Sequence, residues 1–228
     1  IAVSLHLLAT FRRFMRDFSH LDIIFALLWA ARWTLFLSSI AFVCGGLAGF
    51  ILMLMRISPW RPLKYLSWAY LEIIQGTPLL IQFLLAFFGI SILGIEISPW
   101  MAATIALTTF TSAFLGDIWR GAVESIPTGQ WEASKALSMN YWQQLRLVIL
   151  PQAVRRSIAP TVGFLAQVIK GTSLASAIGF VELARSATNI TNVTFEPFFV
   201  YFLTAVVYFA ICFPISVASR KLEKTLAY

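Results

Sequence analysis

Several polar side chains occur inside apolar stretches of this sequence, where an amide, hydroxyl or ammonium group is costly. In hydrocarbon such a group must face other protein groups, face a water-filled path or reach an interface. The deeper or more outward ones are candidates for lining such a path. Each of them could instead be a helix-packing contact. The candidates are Gln82, Gln167, Lys170, Thr172 and Ser173.

Other polar residues in apolar stretches suit structural roles better. Glu72 and Asp117 lie near segment ends, and Asp117 stands one helical turn before Arg120. That spacing predicts an ion pair on the helix surface. The remaining intramembrane amide is Gln75.

Gln75 directly precedes a helix breaker, Gly76-Thr77-Pro78. Proline removes a backbone donor and frees carbonyl groups, which lipid tolerates only where protein or a water-filled path receives them. The break therefore either lines a water-filled path or is a kink that a neighbouring helix satisfies. The sequence favours neither.

No pattern in the sequence supports catalysis or metal binding. There is no GxxxxGK[ST] stretch to hold a nucleotide, and His6 and His20 have no ligand pattern around them. Cys44 and Cys212 lie in apolar runs without metal-ligand spacing. We therefore expect no catalytic residue and no metal, and an intramembrane enzyme is disfavoured.

The composition places the chain in a bilayer. Of 228 residues, 59% are hydrophobic and only 12% are charged, about half the charged share of a soluble domain. The mean hydropathy is +0.82. The net charge of +7 comes from clusters between apolar segments, which indicates membrane topology and not nucleic-acid binding.

The apolar segments predict an all-α integral membrane protein with five transmembrane helices, since one span needs about 20 apolar residues. The preceding stretch 21–33 is interrupted by Asp22 and Arg32 and suits a helix start or an interfacial segment. We expect an interfacial segment over residues 1–20 and one transmembrane domain over 21–228. The predicted spans are 34–55, 65–90, 100–119, 159–180 and 198–218.

Basic residues orient these spans, because cytoplasmic connections are enriched in Lys and Arg. The connections after spans one, three and five are basic, whereas 91–99 and 181–197 contain only Arg185. The C-terminus is therefore predicted to be cytoplasmic and the N-terminus outside. Arg12, Arg13 and Arg16 run against this assignment.

The long cytoplasmic connection, residues 126–158, is amphipathic and is bounded by Pro127 and Pro151. Its apolar positions follow helical spacing, which predicts two short helices joined near Ser138. By itself such a segment is typical of an amphipathic loop at the membrane interface.

The same connection resembles the permease subunits of binding-protein-dependent ABC importers. Their signature is EAA, three residues, Gly, nine residues, Ile, one residue and Leu-Pro. Ser138 stands at the Gly position, where Gly would form a left-handed turn more easily, so a slightly different turn is open. Glu132, Ala133, Leu150 and Pro151 match this signature at the required spacing, whereas Ser134, Ser138 and Val148 replace its third Ala, its Gly and its Ile.

The resemblance covers roughly residues 25–225 and is strongest to the polar amino acid subfamily. Residues 70–80 look like that subfamily's second span, with Gln75 where Arg is frequent. Residues 170–176 look like its fourth, with Gly171 where Asp is frequent. Gln75, Gly76, Thr77 and Pro78 therefore join the candidate path residues.

The resemblance implies a type I importer permease that forms the translocation path for polar amino acids in the bacterial inner membrane. Its loop would be the coupling helix docked on a cytoplasmic ABC ATPase dimer, with Glu132 facing basic groups. ATP and magnesium would be used by that ATPase, and this chain would bind no cofactor. A solute-binding protein outside the cell would deliver the amino acid.

Two questions stay open at this level. A permease for another small solute is the main alternative, whereas a stand-alone channel or carrier would need repeats or ion sites that the sequence lacks. One chain of five spans cannot enclose a path, so a second permease subunit is required. The Gln75 and Gly171 departures favour a similar chain over an identical one.

Overall fold

The computed structural model describes residues 19–226, and the regular structure among them is helical. The helices are α1 (His20–Ile57), α2 (Arg61–Gly76), α3 (Leu79–Ile92), α4 (Pro99–Glu124), α5 (Thr128–Ala136), α6 (Tyr141–Ile178), α7 (Leu183–Thr194) and α8 (Pro197–Leu226). Residues 1–18 of the predicted interfacial segment lie outside the described residues.

The predicted spans correspond to long apolar helices. Four of them, α1, α4, α6 and α8, can each cross a membrane by length and composition. The pair α2 and α3 passes the same test only together and is bent by 103°, so the count reaches five when this pair is one span. The all-α prediction is confirmed, and the bend falls at the predicted break.

The first long helix begins earlier than the predicted span. Ser19 is its N-cap: the Ser19 side chain accepts from the Leu21 N–H, and Asp22 accepts from the Ser19 N–H at 3.1 Å. Such a capping box fixes a helix start. The stretch 21–33 is therefore the first part of α1.

Small residues let α1 and α4 approach closely. A Cβ at Gly45 would lie 2.7 Å from Thr111 Cβ, and one at Gly49 would lie 2.8 Å from the Ser112 carbonyl oxygen. A Cβ at Gly116 of α4 would in turn lie 3.0 Å from the Gly49 carbonyl oxygen. Such glycine contacts are the usual basis of tight helix packing in membranes, where apolar burial alone adds little.

The second short helix predicted in the connection 126–158 is not separate. It is the first part of α6, which runs without a break from Tyr141 through Pro151. A π turn, Gln144–Ile149, precedes Pro151 and shifts the backbone hydrogen bonds where the proline lacks a donor. The proline therefore does not interrupt the helix.

Candidate coupling loop and broken span

The turn after α5 is left-handed in spite of its serine. Ser138 has a φ of 58°, the Met139 N–H donates to the Ser134 carbonyl at 3.3 Å, and the Ser138 N–H donates to the Lys135 carbonyl at 2.9 Å. These two bonds form a Schellman motif. Ser138 thus adopts the conformation that Gly would take, and a different turn is not formed.

The loop is fixed to the ends of the long helices. The Tyr141 hydroxyl donates to the carbonyl of Ile57, the last residue of α1, at 2.6 Å, and the Tyr141 ring stacks on Trp131 of α5 with centroids 6.1 Å apart. Leu145 and Ile149 are buried among residues of α1 and α4. The loop is therefore packed against the ends of α1 and α4 through Tyr141, Leu145 and Ile149.

The EAA-like residues divide between a packed face and an open face. Ser134 is buried, and its hydroxyl donates to the Trp131 carbonyl at 2.9 Å. Glu132 and Ala133 are exposed. Near the other end of the motif Leu150 is half-buried and Pro151 is exposed. The loop therefore presents a carboxylate and a small side chain on a rigid helix.

The break between α2 and α3 is closed by a side chain from the next helix in the chain. Pro78 has no N–H for the Ile74 carbonyl, which lies four residues earlier. Instead Gln82 Nε2 donates to that carbonyl at 2.7 Å and to the Thr77 carbonyl at 3.0 Å. Thr77 Oγ1 donates to the Ile73 carbonyl at 2.9 Å. The kink is therefore satisfied locally.

Gln82 retains one unused group. Its side chain is buried, and its Oε1 has no hydrogen-bond partner among the described residues. A buried acceptor without a donor is costly, and such groups in native proteins call for an explanation. Both sequence interpretations of the break therefore keep support: the kink is satisfied, and it leaves a free acceptor.

The two motifs that resemble the amino acid subfamily meet in space. The segment Leu79–Leu84 packs against Thr172–Ile178, the last turns of α6. A Cβ at Gly171 would lie 3.1 Å from a methyl group of Leu79 and 3.5 Å from one of Leu107. An aspartate at this position would meet two leucines, so the surroundings of Gly171 are apolar in this chain.

The other candidate path residues differ in exposure. Gln75 is exposed, and its Nε2 donates to the Ala113 carbonyl at 3.3 Å. Thr172 is fully buried, with its hydroxyl donating to the Ile169 carbonyl at 2.7 Å, and Ser173 makes the same kind of bond to Lys170. Gly76, Pro78, Gln167 and Lys170 are exposed.

The predicted ion pair on α4 is confirmed. Arg120 Nη2 donates to Asp117 Oδ1 at 2.8 Å, and the same guanidinium also pairs with Glu124. Glu72 is exposed, and its carboxylate accepts no hydrogen bond from another described residue. These acids have surface roles.

Sequence reasoning missed a buried carboxylate at the opposite end from the loop. Glu182 is fully buried as the N-cap of α7: it accepts from the Ala184 and Arg185 N–H groups and from the Tyr208 hydroxyl, each at 2.9 Å, and from the Thr34 hydroxyl at 3.3 Å. Burial raises the pKa of Glu182 above its usual range, although these hydrogen bonds oppose the rise. The available signal was an acid directly before a helix.

Residues 41–228 match the family model described as binding-protein-dependent transport system inner membrane component. The chain belongs to this family. The permease is 35% identical to the "Probable amino-acid ABC transporter permease protein YckA" of Bacillus subtilis over 196 residues, which is 86% of this chain and 87% of that protein. It is also 35% identical to the L-cystine transport system permease protein TcyB of the same organism, over 85% of this chain and 83% of that one.

A solved structure confirms the fold of the permease. The crystal structure of an amino acid ABC transporter with histidines superimposes with a TM-score of 0.84 at 32% identity, covering 88% of this chain and 94% of that one. The type I importer arrangement predicted for the helices is therefore confirmed. The permease is a multi-pass inner membrane component.

Proposed function

We propose that this permease is the transmembrane subunit of an ATP-driven importer for polar amino acids. The observation that carries the coupling role is the rigid loop with Glu132 on its open face, clamped to three long helices. The similarity to cystine and other amino acid permeases supports the class of solute. ATP and magnesium are used by a separate ATPase subunit, and this chain binds no cofactor.

The loop acts as a lever in this proposal. The exposed Glu132 and Ala133 enter a groove of the ATPase, whose basic groups attract the carboxylate. Because Tyr141 ties the loop to the end of α1, closure of the ATPase moves α1, α4 and α6 as one unit. Ser134, Ser138, Leu150 and Pro151 hold the shape of the loop and do not react.

The broken span supplies polar contacts to the solute. A zwitterion carries an ammonium group that needs acceptors, and Gln82 Oε1 is a buried acceptor to which no described residue donates. The half-helix ends around Gly76, Thr77 and Pro78 add backbone groups, as discontinuous helices do in other transporters. Gln75, Gln167, Lys170, Thr172 and Ser173 are further candidates along α2 and α6, with Thr172 reached only after a conformational change.

The subunit works in an assembly. A cytoplasmic ABC ATPase dimer binds the loop, a second permease subunit completes the path, and an extracytoplasmic binding protein delivers the amino acid.

The N-terminus lies outside and the C-terminus in the cytoplasm. Cysteines placed at Ser58 and Gln130 will then react only with a reagent on the cytoplasmic side. Labelling of both in intact spheroplasts by an impermeant reagent would contradict this orientation.

Charge reversal at Glu132 tests the function. In the purified complex reconstituted with its binding protein, Glu132→Lys is expected to abolish uptake of the transported amino acid and its stimulation of ATP hydrolysis. Glu223→Lys, at an exposed site near the end of α8, is the control and is expected to leave both unchanged. Wild-type stimulation by Glu132→Lys in an assembled complex would overturn the coupling role. If the wild-type complex takes up none of the amino acids in a panel, the proposed solute class is wrong.

A further inference from the structure

The turn between α1 and α2 forms a basic pocket that the import function does not use. A cavity of about 360 Å³ is lined by Arg56, Arg61, Lys64, Tyr65 and Trp68. Three cations and two aromatic rings thus surround one concave surface. It lies at the end of the molecule that carries the coupling loop, since Ile57 accepts the hydrogen bond from Tyr141.

The three cations lack anionic partners. Among the described residues, no carboxylate lies within salt-bridge distance of Arg56, Arg61 or Lys64. The Nε of Arg56 is buried and donates to no other described atom. Three cations at one concave surface without a neighbouring carboxylate in the described part of the chain create a positive field there, which favours an anion in the pocket.

The first turn of α2 adds to the positive field. This helix has 16 residues, and its N-cap, Trp60, makes no side-chain hydrogen bond to the first-turn N–H groups. The positive end of a helix dipole therefore lies beside the cations. Arginine and lysine together with helix N–H groups are the usual partners of a phosphate.

The aromatic side of the pocket indicates where the anion comes from. Tyr65 lies one turn of α2 after Arg61, and Trp68 lies one turn after Lys64. Both rings are exposed, at 67% and 44%. Exposed Tyr and Trp at a span end mark the headgroup level of a bilayer. A ligand that fills the pocket therefore meets both the cations and the aromatic rings.

We propose that this pocket binds the phosphate headgroup of an anionic phospholipid in the cytoplasmic leaflet. Arg56, Arg61 and Lys64 hold the phosphate, and the rings of Tyr65 and Trp68 contact the glycerol and upper acyl chain. The bound lipid fixes the turn between α1 and α2, which is next to the point where Tyr141 attaches the coupling loop.

Native mass spectrometry of the detergent-solubilised complex with added phosphatidylglycerol tests this site. The side chains of Arg61 and Lys64 are exposed and make no hydrogen bond to another described residue, so Arg61→Gln and Lys64→Gln should not affect folding. Each is expected to weaken retention of phosphatidylglycerol about fivefold, and Arg56→Gln combined with both should abolish it. The control removes three cations elsewhere at the same face, Arg220→Gln, Lys221→Gln and Lys224→Gln, and is expected to keep the lipid.

Three results would overturn the proposal. Equal retention by the single variants and the wild type would show that the pocket holds no lipid. Displacement of the lipid by millimolar inorganic phosphate would show a site for a soluble anion. Loss of the ATPase subunit from the single variants with lipid retention unchanged would assign the surface to the protein partner.

Discussion

At the scale of single residues, Ser138 adopts a left-handed backbone conformation that is unfavourable for a residue with a side chain. A side chain in left-handed conformation costs about 1–2 kcal/mol relative to Gly, which has no Cβ. Ser138 has a φ of 58°, and its side chain is exposed on the turn. Its position, between the open face of α5 and the anchor at Tyr141, makes the strain relevant to coupling.

Ser138→Gly is therefore expected to stabilise the permease by about 1 kcal/mol, and Ser138→Val to destabilise it because a β-branched residue fits this region poorly. Thermal unfolding of the purified complex measures both. The two substitutions should shift the midpoint in opposite directions. A lower midpoint for the glycine variant would contradict the strain at this turn.

Glu182 is the second residue whose role follows from its contacts. Its carboxylate satisfies two N–H groups and two hydroxyls in a site without exposure. Glu182→Ala leaves these donors unpaired and is expected to destabilise the permease by up to about 3 kcal/mol. Glu196→Ala, at an exposed acid near the same end, is the control and should change the unfolding midpoint little.

The pH dependence of stability tests the state of this carboxyl. Because the pKa of Glu182 is raised in the folded protein, the folded state holds the proton more tightly than the unfolded state. That stabilisation is fully present below the ordinary value of 4.5 and is lost as the pH rises through the raised value. Glu182→Gln removes this dependence. Parallel stability curves for the two proteins across this range would contradict the raised pKa.

At the scale of helices, the break between α2 and α3 depends on one side chain. Gln82 replaces the hydrogen bond that Pro78 cannot make to the Ile74 carbonyl. Gln82→Leu keeps the volume but leaves two carbonyls unsatisfied, at a cost of about 1–3 kcal/mol. We expect the angle between the two helices to become variable.

Spin labels at Leu66 and Ile92, both exposed, report this angle once Cys44 and Cys212 are replaced by serine. The distance distribution between the labels should be broader in Gln82→Leu than in the parent. Gln75→Leu, which loses a single bond of 3.3 Å, is the control and should leave the distribution narrow. Equal widths in all three proteins would show that packing against α6 alone fixes the bend.

The sequence predicts helices better than it predicts their junctions. Composition and Pro78 are local signals, so the apolar segments and the break at 76–78 could be placed. The bend of 103° could not, because it depends on Gln82 reaching back eight residues to Ile74. The continuity of α6 through Pro151 was also missed, since a π turn is not visible in residue types. Long-range contacts such as Glu182 with Thr34 have no local signature at all.

At the scale of the whole molecule, the outer surface is too apolar for a chain that works alone in water. Only 11% of the most apolar part of α8 is buried. Large side chains on this helix are open to the surroundings, among them Phe198, Phe202 and Phe209. Lipid or a second subunit must therefore cover them.

The solute path sets the number of subunits. One chain with up to five spans supplies one wall, and a path across the membrane needs a second. We expect a heterodimer with a similar permease, because Gly171 sits against Leu79 and Leu107 and Gln75 is bound to a backbone carbonyl. Two copies of this chain would have no charged side chain at position 75 or 171 in either copy. A similar partner with Arg and Asp at these positions would supply one of each.

Native mass spectrometry of the transport-competent complex, isolated through a tag on this chain, measures the stoichiometry. The expected composition is one copy of this chain, one similar permease and two ATPase subunits. The reciprocal isolation through the partner is the control and should recover the same masses. Gly171→Asp in this chain is expected to destabilise the permease itself, since it places an unpaired carboxylate against Leu79 and Leu107 of the same chain. Two copies of this chain with two ATPases and no second permease would refute the heterodimer, because the paired copies would then carry amino acids without either charged group.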